Sequence, residues 1–395
     1  MARTKSTSFF GRLFGRKKSS RTKKSNLRRY LWMFLALVTG SGGVAGATEY
    51  DVLRAVWKIL RERVQIHTTS SGRPDDDPGS GSVRVYFTRP DQPPDQPGDI
   101  ARDLAGYIDQ AERTLDVAAF ELDNRVITEA LLRAVQRGVR VRLVTETNYL
   151  AESGVKALQA ARVPVVDDKR DGALMHNKFI VFDRKAVWTG SMNFTENCAY
   201  RNNNNGVFIE DSRLAENYAT KFAWMFDQRK FGGAPSRGDR IPNPLVTLAD
   251  GTQVENYFST HDQPARHITA AVRQARRSIH FLAFSFTHDG IAQAMLDRAA
   301  AGVEVGGVFE KTQVATGHSE YDRLRAAGLA VYIDGNPRNM HHKVIVIDGE
   351  IVVVGSFNFS ESADKTNDEN VLVIYNRAVA AKFEEEYQRV VSAAR

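Results

Sequence analysis

Two short stretches of this chain hold residues that could do chemistry together. The first runs His176, Lys178 and Asp183, then continues to Gly190, Ser191 and Asn193. The second runs His341, Lys343 and Asp348, then continues to Gly355, Ser356 and Asn358. Counted from each histidine, the intervals are +2, +7, +14, +15 and +17 in both. Residues two apart on a strand share a face, so imidazole and ammonium converge on one spot. The aspartate then opens a turn, and Asp348-Gly349 is a strong hairpin signal. The returning strands, residues 186–189 and 351–354, deliver serine and asparagine beside histidine and lysine. An imidazole, a cation and two polar donors suit a phosphate group, and the chain holds the set twice. Imidazole serves as nucleophile and as acid or base near neutral pH. Two histidines without a carboxylate or thiolate triad make a poor metal set, so no metal site is expected. A lone His-x-Lys-x4-Asp arises by chance roughly once in a few tens of chains. Two in register, each reaching Gly-Ser-x-Asn, do not.

The register belongs to a repeat that covers most of the chain. Leu115–Leu122 matches Ile279–Phe286, and Gly138–Glu146 matches Gly302–Glu310, both at an offset of 164. From His176 the offset is 165 and holds through Leu214/Val379, Tyr218/Phe383 and Phe222/Tyr387. Those pairs fall on one face of a closing helix in each half. Each half reads strand, helix, buried strand, helix, strand, helix, strand, hairpin, strand, helix. Strands such as Val139–Thr145 are nearly continuous in apolar and β-branched residues, as expected when both sheet faces are covered. The fold class expected is α/β, a duplicated α/β/α sandwich with mixed sheets.

The paired segments resemble the HKD motifs of the phospholipase D superfamily, and the resemblance covers about residues 83–395. It implies one active site at the pseudo-twofold interface, with both histidines facing one phosphodiester and neither metal nor cofactor. One histidine would form a covalent phosphohistidine while the other protonates the leaving oxygen and then activates water. His176, Lys178, Asp183, His341, Lys343 and Asp348 would be the catalytic set. Ser191, Asn193, Ser356 and Asn358 would bind the non-bridging oxygens with the lysines. Asp183 and Asp348 suit bracing the turn and the lysine better than proton chemistry. In similar proteins a carboxylate at the place of Glu369 takes the imidazole N–H. Glu369 stands 28 residues after His341, and the matching residue after His176 is Asn204. An amide orients an imidazole but does not stabilise imidazolium as a carboxylate does. Read within each half, that makes His341 the better-supported nucleophile; many two-repeat relatives use the N-terminal histidine, so the assignment stays open.

Charge and composition bound the rest. The chain has 395 residues, 54 Lys/Arg, 47 Asp/Glu and one cysteine, Cys198. A disulfide framework is excluded, and Cys198 reads as a small buried residue. Residues 1–47 hold 11 Lys/Arg and no acid, which leaves 43 basic against 47 acidic residues beyond them. The net charge of +7 therefore belongs to the tail and is no footprint for nucleic acid. The segments expected are a basic cytoplasmic tail (1–29), a membrane anchor or signal segment (30–47), and a stalk helix with flexible linker (48–82). The first repeat (83–235), a linker (236–251) and the second repeat (252–395) follow. Residues 30–47 are uncharged, at the lower limit for a span, and fit an uncleaved anchor, a cleaved signal or a peripheral amphipathic segment. The two leading readings place the catalytic part outside the cytoplasm, membrane-anchored in one case and secreted or periplasmic in the other.

The motifs do not name the phosphodiester. Short spacings between elements, Tyr257-Phe-Ser259 and Ala283-Phe-Ser-Phe286 are similar to the compact bacterial nuclease branch of the superfamily. A membrane-attached segment would put phospholipid within reach. A phosphodiesterase acting on nucleic acid is expected first, a phospholipid hydrolase or phosphatidyl transferase second, and a non-catalytic scaffold third. No obligate protein partner is expected, since two repeats in one chain complete a site. Lys169, Arg170 and Arg201 flank the first motif and Arg338 the second; they suit a polyanionic backbone or a solvated surface. His342 alternates away from the catalytic face and reads as incidental.

Overall fold

The computed structural model describes residues 82–90, 98–233 and 239–394. The expected tail, apolar segment and stalk, through residue 81, lie outside the described residues. Among the described residues no helix is long and apolar enough to cross a membrane.

The first half runs β1 (Val83–Phe87), α1 (Ile100–Gln110), β2 (Thr114–Ala119), α2 (Arg125–Gln136), β3 (Arg140–Thr145), α3 (Ser153–Ala160) and β4 (Val165–Asp167). It then forms β5 (Lys178–Phe182), β6 (Ala186–Gly190), α4 (Glu196–Tyr200), β7 (Asn205–Glu210) and α5 (Ser212–Phe226). The second half opens with β8 (Leu245–Thr247), β9 (Gln253–Phe258), α6 (Pro264–Arg273), β10 (Ser278–Ala283), α7 (Asp289–Ala300) and β11 (Glu304–Phe309). There follow α8 (Lys311–Val314), α9 (Tyr321–Ala326), β12 (Ala330–Ile333), β13 (Lys343–Ile347), β14 (Ile351–Gly355), α10 (Glu361–Lys365), β15 (Asn370–Tyr375) and α11 (Arg377–Ala393).

Two mixed sheets result, ordered β1-β7-β6-β5-β2-β3-β4 and β12-β11-β10-β13-β14-β15-β9-β8. In each, three strands run parallel and the remaining pairings are antiparallel. The expected duplicated α/β architecture is what forms, with one correction. Residues 245–247, read from composition as linker, add an edge strand, because β8 pairs with β9 through Val246 and Val254. Helix starts follow local chemistry: Asp99, Asn124, Asp211 and Asn376 each accept backbone N–H groups of the first turn, satisfying donors that the helix itself leaves open.

The sheets face each other across one shared core. It takes Phe179, Val181 and Val187 from one sheet, Val344, Val346 and Val352 from the other, and α5 and α11 between them. The helical face read from the sequence is the one buried: Leu214, Tyr218 and Phe222, and Val379, Phe383 and Tyr387. The outer helices cover the far face of each sheet over a core of their own. Strands β5 and β13 are buried along their whole length, which accounts for their unbroken apolar runs.

Both hairpins after the histidines turn with positive φ at their two central residues, Asp183 and Arg184, then Asp348 and Gly349. Lys185 N–H donates to Phe182 O at 2.8 Å and Glu350 N–H to Ile347 O at 3.0 Å, closing each turn. Gly190 and Gly355 are required for a different reason. Both have φ near +150°, and a Cβ there would collide with the carbonyl oxygens of Asn205 and Asn370. The returning strand crowds its neighbour at the point where the serine must be delivered.

Candidate active site

His176 and His341 stand just before β5 and β13, at the sheet edge where the parallel strands end. The lead-in to each histidine does not pair within its own half. His176 N–H donates to Asp368 O at 3.0 Å, and Asp368 N–H to Leu174 O at 2.8 Å. In the other half, His341 N–H donates to Asn203 O and Asn203 N–H to Asn339 O, both at 2.9 Å. The two halves are stitched together by these bridges at the histidines.

The stitching moves the orienting residues to opposite partners. His176 Nδ1 lies 2.8 Å from the Glu369 carboxylate, and His341 Nδ1 lies 2.9 Å from Asn204 Oδ1. Glu369 thus supports His176, and Asn204 supports His341, the reverse of the reading made within each half. The reason is register: the residue after Asp368 follows that strand into the first half, and the residue after Asn203 does the converse. The case for His341 as the carboxylate-supported group falls with it.

The serines are corrected too. Ser191 Oγ donates to Asn204 Oδ1 at 3.0 Å, and Ser356 Oγ donates to Glu369 Oε2 at 2.5 Å. Each also accepts a backbone N–H, from Asn205 and Asn370, at 3.0 Å. Both serines are fully buried and spent on fixing the orienting residues, so they are not phosphate ligands. Asn204 Nδ2 donates to Cys198 O at 3.0 Å, which sets the amide with its oxygen toward the imidazole. Asn193 and Asn358 keep side-chain oxygens with no partner among the described residues. They remain candidates for the substrate. Asn193 Nδ2 also donates to Glu121 Oε2 at 2.6 Å, while the matching position of the second half is Ser285.

Lys178 Nζ donates to His176 O at 2.6 Å and Lys343 Nζ to His341 O at 3.0 Å. Both lysines are buried, leaving further ammonium hydrogens for a ligand. Asp183 and Asp348 do not brace them. Seven residues beyond the histidines, roughly 20 Å along a strand, Asp183 accepts the backbone N–H groups of Glu112, Arg113 and Thr114 at 2.7–2.9 Å. Asp348 does the same for Arg276, Arg277 and Ser278. They tie hairpin to neighbouring loop and take no part in the reacting centre. Burial would raise both carboxyls, yet these donors outweigh it and hold them low.

Electrostatics joins the two sets into one site. Burial pulls His176 well below its usual range, and Lys178 and Lys343 pull it further. His341 is lowered by burial, then Lys343, Lys178 and His176. Burial brings Lys178 down to about 8 against the attraction of Glu369 and Glu121. It also pushes Glu369 up to about 7, while Lys178 draws it back. Burial and Lys178 also lower Lys343 well below its usual range, so both lysines gain from a bound anion such as a phosphodiester, which favours their charged forms. Among the described residues no group of three His, Cys, Asp or Glu could hold a metal ion.

Several contributors escaped the sequence reading. Glu146 and Glu310 accept Met175 N–H and Met340 N–H at 2.8 and 2.7 Å, holding the residue before each histidine. A charged residue at the end of a buried strand, repeated in both halves, was their signal. Phe120 stands edge-on to His176 at 4.8 Å, and Phe284 to His341 at 4.6 Å. Each lysine Nζ lies over the same ring, at 4.8 and 4.9 Å. His342 is not incidental: it is fully buried, 2.9 Å from both Asn205 Nδ2 and Glu386 Oε1. Cys198 is buried, as its type suggested.

The family model for "Cardiolipin synthase, PLD-like domain" matches residues 104–226 and 268–391, well over half of the chain. A phospholipase D of Rickettsia felis is 40% identical over 124 residues, 31% of this chain and 62% of that protein. A mitochondrial cardiolipin hydrolase of Xenopus tropicalis is 34% identical over 117 residues, 30% of this chain and 56% of that protein. The chain therefore spans about three fifths of the curated relatives it matches. The crystal structure of phosphatidylserine synthase from Haemophilus influenzae Rd KW20 superposes with a TM-score of 0.62 at 12% identity, over 80% of this chain and 87% of that one; this likeness is one of fold.

Proposed function

The chain belongs to the phospholipase D-like family, and from that premise we propose that it is a phosphodiesterase working through a phosphohistidine on His176. The carrying observation is the unequal support of the two imidazoles. Glu369 takes the Nδ1–H of His176, so Nε2 keeps its lone pair for phosphorus, and the positive charge gained on attack is offset by the carboxylate. His341 faces only an amide, which fixes its tautomer without holding its proton. It enters the step as imidazolium, the bound phosphate offsetting the burial and lysines that lower it, and its Nε2 proton passes to the leaving oxygen as the phosphorus–oxygen bond breaks. In the second step His341 takes a proton from water, the water oxygen bonds phosphorus, and the bond to His176 breaks. Lys178 and Lys343 neutralise the oxygens of the transferring group, and the amides of Asn193 and Asn358 offer it hydrogen bonds without charge. Asp183 and Asp348 carry no step.

Nucleic acid is the substrate proposed first. The half-buried rings of Phe120 and Phe284 flank the reacting centre, one beside each histidine, as sequence-tolerant platforms for bases. The relatives named for phospholipase D and cardiolipin hydrolysis favour a phospholipid as the second reading, and an apolar segment at residues 30–47 suits it. The test is cleavage of end-labelled single-stranded DNA and RNA by the full chain in EDTA, with His176→Ala as control. EDTA-resistant cleavage lost in the variant is expected. Cleavage abolished by EDTA would overturn the mechanism. Inert nucleic acid, with headgroup release from anionic vesicles, would give the site to lipid.

A further inference from the structure

The sheet edge that carries the histidines holds the same frame in both halves, but only one copy is filled. In the first half, Arg170 reaches into the second, with Nη1 donating to Thr366 O at 3.1 Å and Nη2 to Asp368 Oδ2 at 2.7 Å. Asp368 also takes Lys221 Nζ at 2.6 Å and the N–H of Gly232 at 3.0 Å. Phe231 lies 5.7 Å under the Arg170 guanidinium. Arg170 also holds Asp168 at 3.0 Å, so two cations meet two carboxylates, and with the chain after α5 they close that copy with its charges balanced.

In the second half, Asn336 takes the place of Arg170. It stands two residues after Asp334, as Arg170 stands two after Asp168, and those aspartates accept the N–H groups of Lys311 and Thr147. Asn336 Nδ2 donates to Arg201 O at 3.1 Å and to Asn203 Oδ1 at 2.5 Å. Arg201 and Asn203 are the counterparts of Thr366 and Asp368. The amide is shorter than arginine, and Asn203 carries no charge. Lys221 is replaced by Glu386, which is engaged by His342, Arg89 and Arg389. What remains is a cavity of about 330 Å³ with Pro90, Arg201, Asn336, Arg338 and Arg389 in its wall.

Its wall carries more cation than anion: with Arg389 paired to Glu386, Arg201 and Arg338 stand against the single carboxylate of Asp334. Both oxygens of Asp334 are taken, by the N–H groups of Lys311 and Asn336. Arg201 is exposed and gives one N–H to Asn197 Oδ1. Arg338 is exposed, and its guanidinium has no partner among the described residues. The cavity also touches the reacting centre: Asn203 O accepts the N–H of His341 at 2.9 Å, and the loop in its wall leads straight into that histidine.

We propose that this cavity binds a second, non-reacting phosphate of a nucleic-acid strand, on the leaving-group side of the scissile bond. The proposal deepens the nuclease reading and rests on it. Planar guanidinium groups present paired donors to phosphate, and the cavity adjoins His341, the proton donor to the leaving oxygen. Because the matching copy is closed and neutral, the strand is held in one direction across an otherwise twofold site.

The test compares the full chain with an Arg201→Ala/Arg338→Ala variant on a single-stranded oligonucleotide and on bis(p-nitrophenyl) phosphate, which has one phosphate. The expected result is a fall of about tenfold or more in the ratio of kcat/KM for oligonucleotide over the small diester. The salt slope of oligonucleotide KM should also drop by about one to two. An unchanged ratio and slope would overturn the proposal. Hydrolysis of the small diester without any oligonucleotide cleavage by the unaltered chain would instead sink the nuclease reading. In that case, a variant defect on cardiolipin vesicles absent on phosphatidylcholine would assign the cavity to a lipid's second phosphate.

Discussion

The halves of this protein agree in backbone down to the hairpin, the crowded glycine and the lysine seated on its own histidine's carbonyl. They part at the group behind each imidazole. Behind His176 stands Glu369, held by Ser356; behind His341 stands Asn204, held by Ser191. Matching frames with unequal backing give the two imidazoles different surroundings. In the mechanism proposed above, that broken symmetry is what decides which imidazole attacks.

The sharpest way to break that comparison is to remove each histidine and vary the leaving group. His176→Ala should lose about 10⁴-fold or more in kcat with any diester, since no bond to phosphorus can form. His341→Ala should lose as much on a nucleotide or alkyl ester, yet with a p-nitrophenyl ester it should release about one equivalent of p-nitrophenolate in a burst, since that group leaves without a proton, and then stall for want of the base that activates water. A burst from His176→Ala and none from His341→Ala would exchange the roles. Next in size, Glu369→Gln should lower kcat by about 10²–10³ while leaving KM little changed, because its carboxylate acts on charge formed during reaction. A loss confined to KM would show that Glu369 serves binding alone.

Asn204→Asp sharpens the comparison by restoring symmetry. A carboxylate on His341 Nδ1 favours the protonated ring and raises its pKa. The general acid is lost as pH rises through that pKa, so the alkaline limb of kcat should move upward by about one pH unit. A limb that stays in place would mean that another group donates the proton. The smallest effect belongs to Asp183→Ala and Asp348→Ala, which should behave alike. Each should cost about 1–2 kcal/mol of stability in thermal unfolding, with kcat/KM held within about twofold. Their carboxyls are held low in the folded chain, so the stability they contribute is present at neutral pH and lost as pH falls through the folded pKa. A large kcat loss in either would return the aspartates to the reacting centre.

Much of this was legible in the residues. Equal intervals after His176 and His341 gave the site, the Asp turns gave the hairpins, and Leu214, Tyr218 and Phe222 gave the helix face that the core buries. What stayed hidden depends on contacts between distant strands. Glu369 lies close after His341 in sequence but beside His176 in space, because the lead-ins at Asn203 and Asp368 cross between halves. Ser191 and Ser356 looked like ligands until the neighbouring strand supplied Asn204 and Glu369 as their partners. Arg170 read as a polyanion contact or solvated surface, yet Asp368, nearly two hundred residues away, draws it into the seam. Local pattern fixes faces and turns; which half an outgoing strand joins is settled only by packing.

The crossed support also sets a timetable. Glu369 follows His176 by 193 residues, and at about 5–20 residues per second the ribosome needs roughly 10–40 s to make that interval. Through that time a finished first half carries His176 with nothing behind it. The second half must emerge and dock before either imidazole is backed, so the proposed centre does not exist on the emerging chain until both halves are in place.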